Sequence, residues 1–557
     1  TGGYNTGVGK GALESNTTGG DNVAVGYAAL GANETGGQNT IVGVAAADAS
    51  TANDYVTAVG YAALSNATAS YNTAVGRYAG LANTTGTNAV YLGYNAGKAV
   101  TTGNSNTVVG TEALQAVTTG QYNVAMGNAA LYSNTATGNT AMGHVALYAN
   151  TTGSGHVAVG YGALDANTTG NNSVAIGHNA LTAATTGDQN TAVGSQALLT
   201  CTTAGNNTAV GMNALALSTT GAENTALGSQ AGYAMTTGGE NVHIGYKAGD
   251  GQTTANYNTF VGSLAASYST ATGSNNVAIG RTSLYALTSG YDNVCAGLNS
   301  GYDITSGHSN VLLGTDAGQN ITGGLQNIAL GKNSLESCTT DSNNICLGYD
   351  AGNDATAGAS ILIGSYAGDQ ITTGDYNICI GYDAGSYTQN ITTGEQNICL
   401  GAFSHPSAAG GTNQIALGYN CTGGGNSTFR VLAASGVFNS ANTSTWNTTS
   451  DVRIKKNIIN ATLGLDALNE LQVRQFEYRE KEEMEIELDE KLPTGKLITG
   501  VIAQEIENVI PETVSTRDNG LLTVKTDAVL WTAVKAIQEL SDKVDELTEK
   551  LNNCNCE

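Results

Sequence analysis

Along the first three-quarters of the chain, one short alternation of apolar and polar positions keeps returning. It reads Asn-Thr-Ala-Val-Gly, then a stretch of small residues, then Thr-Thr-Gly. The motif glycine falls at 9, 26, 43, 60, 76, 93, 110, 127, 143, 160, 177, 194, 211, 228, 245, 262, 280, 297, 314, 331, 348, 364, 381, 401 and 418, which makes 25 copies. The step is 17, with slips to 16 or 18 and one step of 20 between Gly381 and Gly401. A regular period of this length marks a solenoid, in which a unit that cannot bury a face alone does so by stacking on its neighbours.

Each position has a physical reading. Three residues before the glycine every copy has Thr, Val or Ile, and one residue before it every copy except Ala296 has Val, Ile, Leu or Met. These alternate positions share one face of a short strand. The residue between them is usually Ala, with Cys at 295, 346, 379 and 399. Four residues before the glycine, 19 of the 25 copies have Asn, the exceptions being Val56, Ala89, His156, Ser173, Ser360 and Gln414. Stacking would align these Asn into a ladder of side-chain amides. The glycine suits a sharp corner with positive φ or close backbone approach. After it comes a second short stretch, usually Ala and then Leu or Gly, as in Ala29-Leu30 and Ala231-Gly232, and Thr-Thr-Gly reads as a second turn. The pattern predicts two short strands and two turns per unit, and 25 coils at about 4.8 Å each give a rod on the order of 120 Å long. Gly, Thr, Asn and Val are weak helix formers, which disfavours a helical reading. The β-branched position is Thr or Val up to Val311 and Ile at 328, 345, 361, 378, 398 and 415, so the C-terminal coils are expected to be drier and more stable.

Charge divides the chain in two. Residues 1–449 hold 7 Lys/Arg and 22 Asp/Glu, whereas residues 450–557 hold 13 and 22. The net charge of −24 argues against nucleic-acid binding, which needs a basic footprint. There is no run of about 18 apolar residues, so no membrane-spanning helix is expected. No signal peptide is visible, and Thr1 is not an initiator Met, so the start reads as processed or as part of a longer chain. The nine Cys do not read as a disulfide framework, and those at 346, 379 and 399 stand where other copies have Ala, as small buried residues. The expected organisation is a mainly β solenoid or β-roll over 1–418, a linker over 419–449, and a small α+β domain over 450–557 with a terminal helix about 528–552. Phe429–Phe438 reads as a short strand pair, and Trp446 is the one large anchor of the polar stretch after it.

The Asn-Ser-Val-Ala-Ile-Gly unit at Asn172 to Gly177 resembles the head repeats of trimeric autotransporter adhesins, whose period is shorter, and the repeats as a whole resemble those of phage tail fibres. From Ser450 the chain resembles the intramolecular chaperone of endosialidases and tail fibres, the peptidase S74 family. The resemblance rests on Ser450-Asp451-x-Arg453-x-Lys455-x-Asn457-Ile458, Gly464 to Leu471, Val473-Arg-Gln-Phe-Glu-Tyr478, Gly500-Val-Ile-Ala-Gln-Glu505, Ile510-Pro511-Glu512, Val524 and Ala536-Ile-Gln-Glu-Leu540. It implies a domain that helps three chains assemble and then cuts itself off between Thr449 and Ser450, with Ser450 as nucleophile and Lys455 in the base position. Serine needs a base, and a Lys serves only if burial or nearby cations lower its pKa; Arg453 and Lys456 could supply that field. Such an enzyme would act once, on itself. Ser-Asp followed by Lys-Lys is, on its own, more often a helix cap beside a solvated face.

Ile537, Leu540, Val544, Leu547 and Leu551 alternate steps of three and four between charged flanks, the pattern of a coiled coil or of one amphipathic helix on its own domain. Glu477 to Glu490 reads as a solvated helix or arm. The ending Cys554-Asn-Cys556 reads as a frayed tail.

No phosphate-binding loop, metal-ligand spacing or cofactor motif is found, and His144, His156, His178 and His243 read as surface or ladder substitutions. Nothing in the spacing of Asp21, Asp165, Asp188, Asp316, Asp350 and Asp383 singles out a glycosidase pair. The functional expectation is a tailed-phage fibre, homotrimeric, part of the virion and assembled in the host cytoplasm. It would meet other tail proteins at its N-terminus and a host-surface receptor, a glycan by preference. Tyr4, Tyr55, Tyr71, Tyr122, Tyr257, Tyr291 and Tyr376, just before the strand, are candidates for weak multivalent contacts. The alternatives are a bacterial surface adhesin and a tailspike depolymerase acting on host glycan.

Overall fold

The computed structural model describes residues 2–268, 270–386, 390–432, 456–480, 483–484, 494–516 and 520–554. It comprises two compact units, Thr1–Tyr349 and Asp350–Glu557. In the first unit every repeat contributes one three-residue strand, from β1 (Thr6–Val8) to β21 (Ile345–Leu347). Neighbouring strands pair in parallel at matching positions, so that Thr208 lies beside Thr225 and Val210 beside Leu227. The second unit repeats the design in β22 (Ile361–Ile363) to β25 (Ile415–Leu417). This is a β-solenoid of 17-residue coils. The long step before Gly401 leaves the register intact, since Ile378 still faces Ile398. Of the stretch read as a strand pair, Phe429–Val431 forms β26 and adds to β25. Residues 433–449, Trp446 among them, lie outside the described residues.

The asparagine ladder is present and is richer than side chain to side chain. Asn293 Nδ2 donates to Asn276 Oδ1 at 3.0 Å, and the Asn293 backbone N–H donates to the same oxygen at 3.1 Å. The same Nδ2 also donates to the Gly307 carbonyl at 2.9 Å, and Asn310 and Asn327 repeat the arrangement. Each buried amide thus satisfies itself and ties three chain segments together, as burial of a polar group requires. The first Thr of Thr-Thr-Gly adds a second rail, with Thr219 Oγ1 donating to Thr236 O at 3.1 Å and Thr236 Oγ1 to Thr253 O at 3.1 Å. The motif glycines all have φ between +126° and +146°, and a Cβ on Gly211 would collide with the carbonyl of Gly228 in the next coil.

Two expectations are corrected. The second stretch of each coil runs as turns, because alternate residues are left-handed: Ala62 has φ 50° and Leu64 φ 52°. A strand cannot contain that alternation. The stretch still bonds coil to coil, as Leu64 N–H does to Ala79 O at 2.9 Å. The position that becomes Ile from Ile328 onward is not interior. From β2 to β25 only the middle residue of each strand is buried, and its two neighbours are half-buried or exposed on the outer face. The gradient therefore changes the surface and leaves the core as it was.

The core is filled by the strand's middle residue and by the residue four after the glycine, and these two trade volume. Where the middle is Ala, as at Ala192 and Ala209, Leu198 and Leu215 fill the space. Where it is large, Gly takes the leucine's place. Tyr91 lies between Gly80 and Gly97, and His243 between Gly232 and Gly249, where any added Cβ would strike the ring. Leu312 is flanked in the same way by Gly301 and Gly318. Dense interiors enforce such exchanges.

The C-terminal part of the second unit is a small α+β region. It contains α1 (Leu465–Glu470), the antiparallel pair β27 (Arg474–Phe476) and β28 (Ile498–Gly500), α2 (Ala503–Ile506), the hairpin β29 (Val514–Thr516) and β30 (Leu522–Val524), and the 29-residue α3 (Thr526–Cys554). Among the described residues its buried ones are Gly464, Ile506, Ile510, Thr513, Thr532 and Ala536. Glu477 to Glu490 lies largely outside the described residues.

Candidate functional site

Thr449, Ser450 and Lys455 lie outside the described residues, as do Asp451 and Arg453. The structure takes up the motif at Lys456. Asn457 is left-handed, with φ 55°, and Ile458 and Ile459 are exposed. The chain then runs alongside α3. Ile459 to Leu463 line one side of a cavity of about 410 Å³, with Trp531 and Thr532 of α3 and Glu512 on the other. At Gly464 the contact becomes specific. The Glu539 carboxylate, on α3, accepts the Leu465 backbone N–H at 2.8 Å and thereby caps the start of α1 across the fold. Glu539 also pairs with Lys535 at 3.5 Å, and the Leu465 bond holds its carboxyl below the usual range.

Two stretches that carried the resemblance are brought together. Val473–Tyr478 pairs with the start of Gly500–Glu505 through β27 and β28. Arg474 then grips Glu505 with both arms, Nε to Oε2 at 3.1 Å and Nη2 to Oε1 at 2.9 Å. That geometry is the directional, two-bond form of the ion pair. Ile510, Thr513 and Ala536 supply the buried centre. The helix was expected over 528–552 and is a little longer. Ile537, Leu540, Val544, Leu547 and Leu551 form one exposed face along it, Leu540 being 50% exposed and Leu547 64%.

Within the solenoid, His156 replaces an Asn of the ladder and does its work. Its Nδ1 accepts the Ser173 N–H at 3.2 Å, and its Nε2 donates to the Gly170 carbonyl at 2.6 Å. This is a neutral ring, and burial lowers its pKa. His144 and His178 stack on Tyr161 at the surface. His243 departs from expectation: it is a core residue, stacked on buried Phe260, and burial pulls its pKa down to about 4. Cys346, Cys379 and Cys399 are fully buried, and burial pushes the Cys346 thiol up. The seven tyrosines named above are all exposed, and Tyr55 and Tyr71 stack at 5.1 Å. Of the acids considered, Asp188 accepts the Asn171 N–H and Asp316 accepts Asn299 Nδ2, so both serve the turns. Among the described residues no group of three His, Cys, Asp or Glu could hold a metal ion, and no helix is long and apolar enough to cross a membrane.

Sequence reasoning missed a second amide ladder ahead of the Thr-Thr turn. Asn33 donates to Asn16 at 2.9 Å, and Asn167 to Asn150 at 2.7 Å. The recurrence of Asn before Thr-Thr-Gly was the available signal.

Residues 450–515 match the chaperone of endosialidase family, peptidase S74. No curated protein matches the chain. The matched segment covers the motif, β27, β28 and α2, and ends as the β29 hairpin begins.

Proposed function

We propose that this chain is a tailed-phage fibre or tailspike-like protein whose C-terminal domain is an assembly chaperone for three copies of the chain. One observation carries the reading: a β-solenoid of near-identical coils continues into a segment that matches the chaperone of endosialidase. The two belong together for a physical reason. Coils of one period can pair one step out of register at little cost, so three solenoids need a separate nucleus to set their alignment. The exposed heptad face of α3 supplies an apolar seam for that nucleus. The assembled protein would sit on the virion, with tail proteins at one end, and meet a host-surface glycan through its exposed turns and tyrosines.

In this reading the chaperone leaves after assembly. The Ser450 hydroxyl, its proton taken by Lys455, attacks the Thr449 carbonyl. The Thr449–Ser450 C–N bond breaks, the Ser450 amine takes the proton, and an ester links Thr449 to Ser450 Oγ. Water then hydrolyses the ester, giving a Thr449 carboxylate and free Ser450.

Intact mass of freshly made protein beside a Ser450→Ala variant tests this. A fragment beginning at Ser450 from the parent only supports self-cleavage. Two uncut trimers would leave a retained assembly cap and remove Ser450 and Lys455 as catalytic residues. Monomers would overturn the assembly role itself.

A further inference from the structure

The interior of the solenoid holds another column, seven residues after the motif glycine, and its filling changes along the first unit. In the earlier coils it includes Asn33, Ser50, Asn83, Asn167, Ser218 and Gln252, and in the later coils it is Leu287, Ile304, Ile321 and Cys338. All ten are fully buried. Each of the six polar side chains keeps one atom with no hydrogen-bond partner among the described residues: Oδ1 of Asn33, Asn83 and Asn167, Oγ of Ser50 and Ser218, and Nε2 of Gln252. A buried polar atom without a partner destabilises the fold, whereas a buried Leu or Ile stabilises it.

The backbone does not compensate for the difference. Val174 N–H donates to Asn190 O at 2.8 Å in the earlier coils, and Val311 N–H to Asn327 O at 2.8 Å in the later ones. The first amide ladder also runs through both, with Asn241 on Asn224 at 3.0 Å and Asn310 on Asn293 at 3.0 Å. The two blocks therefore share their bonding and differ in the filling of this column. They meet at the coil between Gly262 and Gly280, which is one residue longer than the period.

We infer that the first unit has a built-in order of opening: the polar-filled coils up to Gln252 open while the apolar-filled coils from Leu287 to Cys338 stay closed. Each coil of a solenoid is held by its immediate neighbours, so a local difference in filling is not averaged over the whole stack. Run in reverse, the same order makes the apolar block the template on which the polar coils close. The inference goes beyond the assembly reading and does not depend on it.

Native-state hydrogen exchange of the full chain, followed by mass spectrometry in a series of low urea concentrations, tests it. Peptides from residues 134–252 are compared with peptides from residues 287–338, so that the first coils do not enter. The expected result is exchange at least about ten-fold faster in 134–252. Equal rates, or faster exchange in 287–338, would overturn the inference. Ile304→Asn with Ile321→Asn sets an amide three residues before Gly307 and Gly324, as Asn150 stands before Gly153, whose carbonyl it reaches at 2.8 Å. That variant should bring exchange in 287–338 up to the rate of the polar block. Ser218→Ala removes an unpartnered hydroxyl and should slow exchange in its own and the adjoining coils, which keeps the test open if the double variant does not fold. Rates left unchanged by these substitutions would overturn the role given to the column.

Discussion

The solenoid coils and the C-terminal region solve the same problem in opposite ways. A coil is too small to own a core, yet the interior of the stack is nearly dry: Ala192, Leu198, Ala209 and Leu215 are fully buried, and even the Asn207 and Asn224 amides are sealed in. The C-terminal region is large enough to fold around a centre and does so only thinly, with six buried residues among those described, while Trp531 stays 67% exposed and the length of α3 carries an uncovered apolar face. The first finishes its interior within one chain and leaves its outer face open. The second leaves its principal apolar surface, along α3, exposed. Repetition makes the interior cheap to complete, since each coil is template and lid for the next.

The sharpest way to break the contrast is at a corner. Gly211→Val puts a side chain against the Gly228 carbonyl at φ +136°, and should destabilise the solenoid by about 4 kcal/mol or more, read as loss of the cooperative thermal transition in circular dichroism. In the other region, Leu540→Asp with Leu547→Asp should abolish association through α3 while leaving the solenoid's β signal intact, a result that light scattering and circular dichroism report together. A β signal that collapsed as well would show that the coils do not stand alone.

His243 offers a pH handle on the interior. Its folded pKa of about 4 lies below the unfolded value near 6.5, so the unfolded chain binds the extra proton. Stability is therefore full above about pH 6.5, falls as the pH drops towards 4, and loses at most about 3 kcal/mol there. His243→Phe, which copies neighbouring Phe260, should flatten most of that fall in a melting series from pH 7 to 4 and leave the smaller part due to His156. Asn293→Ala removes the acceptor of the Asn310 backbone N–H and one of the two bonds of its Nδ2, and should cost about 1–3 kcal/mol by denaturant melting. The smallest effect is expected at the joint between α1 and α3, where Glu539→Gln keeps an acceptor for the Leu465 N–H and should lower the melting temperature only slightly, the least of these changes.

Much of the solenoid was legible because its rules are local. The period, the Asn ladder and the glycine corner each need one residue type at one place, and the structure puts them there. The facing of the strand was legible only in part: the cysteines of the alanine column read as buried, yet the flanking Ile were expected to make the coils drier. Thr-Ala-Val alternates equally well with the Ala inside or outside, and Ala is too small to announce a core. The missing second strand was hidden as well, because Ala62 and Leu64 adopt left-handed backbone that usually calls for Gly or Asn. His243 read as a surface or ladder substitution because its accommodation lies at Gly232 and Gly249, which meet the ring only once the chain is coiled and stacked. In the C-terminal region the segments Val473–Tyr478 and Gly500–Glu505 were recognisable as motifs, but the Arg474–Glu505 grip that joins them is a matter of three-dimensional pairing. Ser450 and Lys455, read as nucleophile and base, lie outside the described residues, and that reading rests on the resemblance and the family match.

The exchange of volume between strand centre and corner bears on how such a chain can change in length. Repeats of similar sequence invite unequal recombination, which adds or deletes whole coils. Where Ala faces Leu on both sides, as from Ala125 to Leu215, a duplicated or lost coil meets neighbours identical to those it had. At Tyr91 or His243 it does not: removing the coil of Gly80 or Gly232 would bring Leu64 or Leu215 against the ring in the glycine's place. These bulky residues are fixed landmarks in an otherwise interchangeable series. Related chains should differ in coil number between them and agree across them.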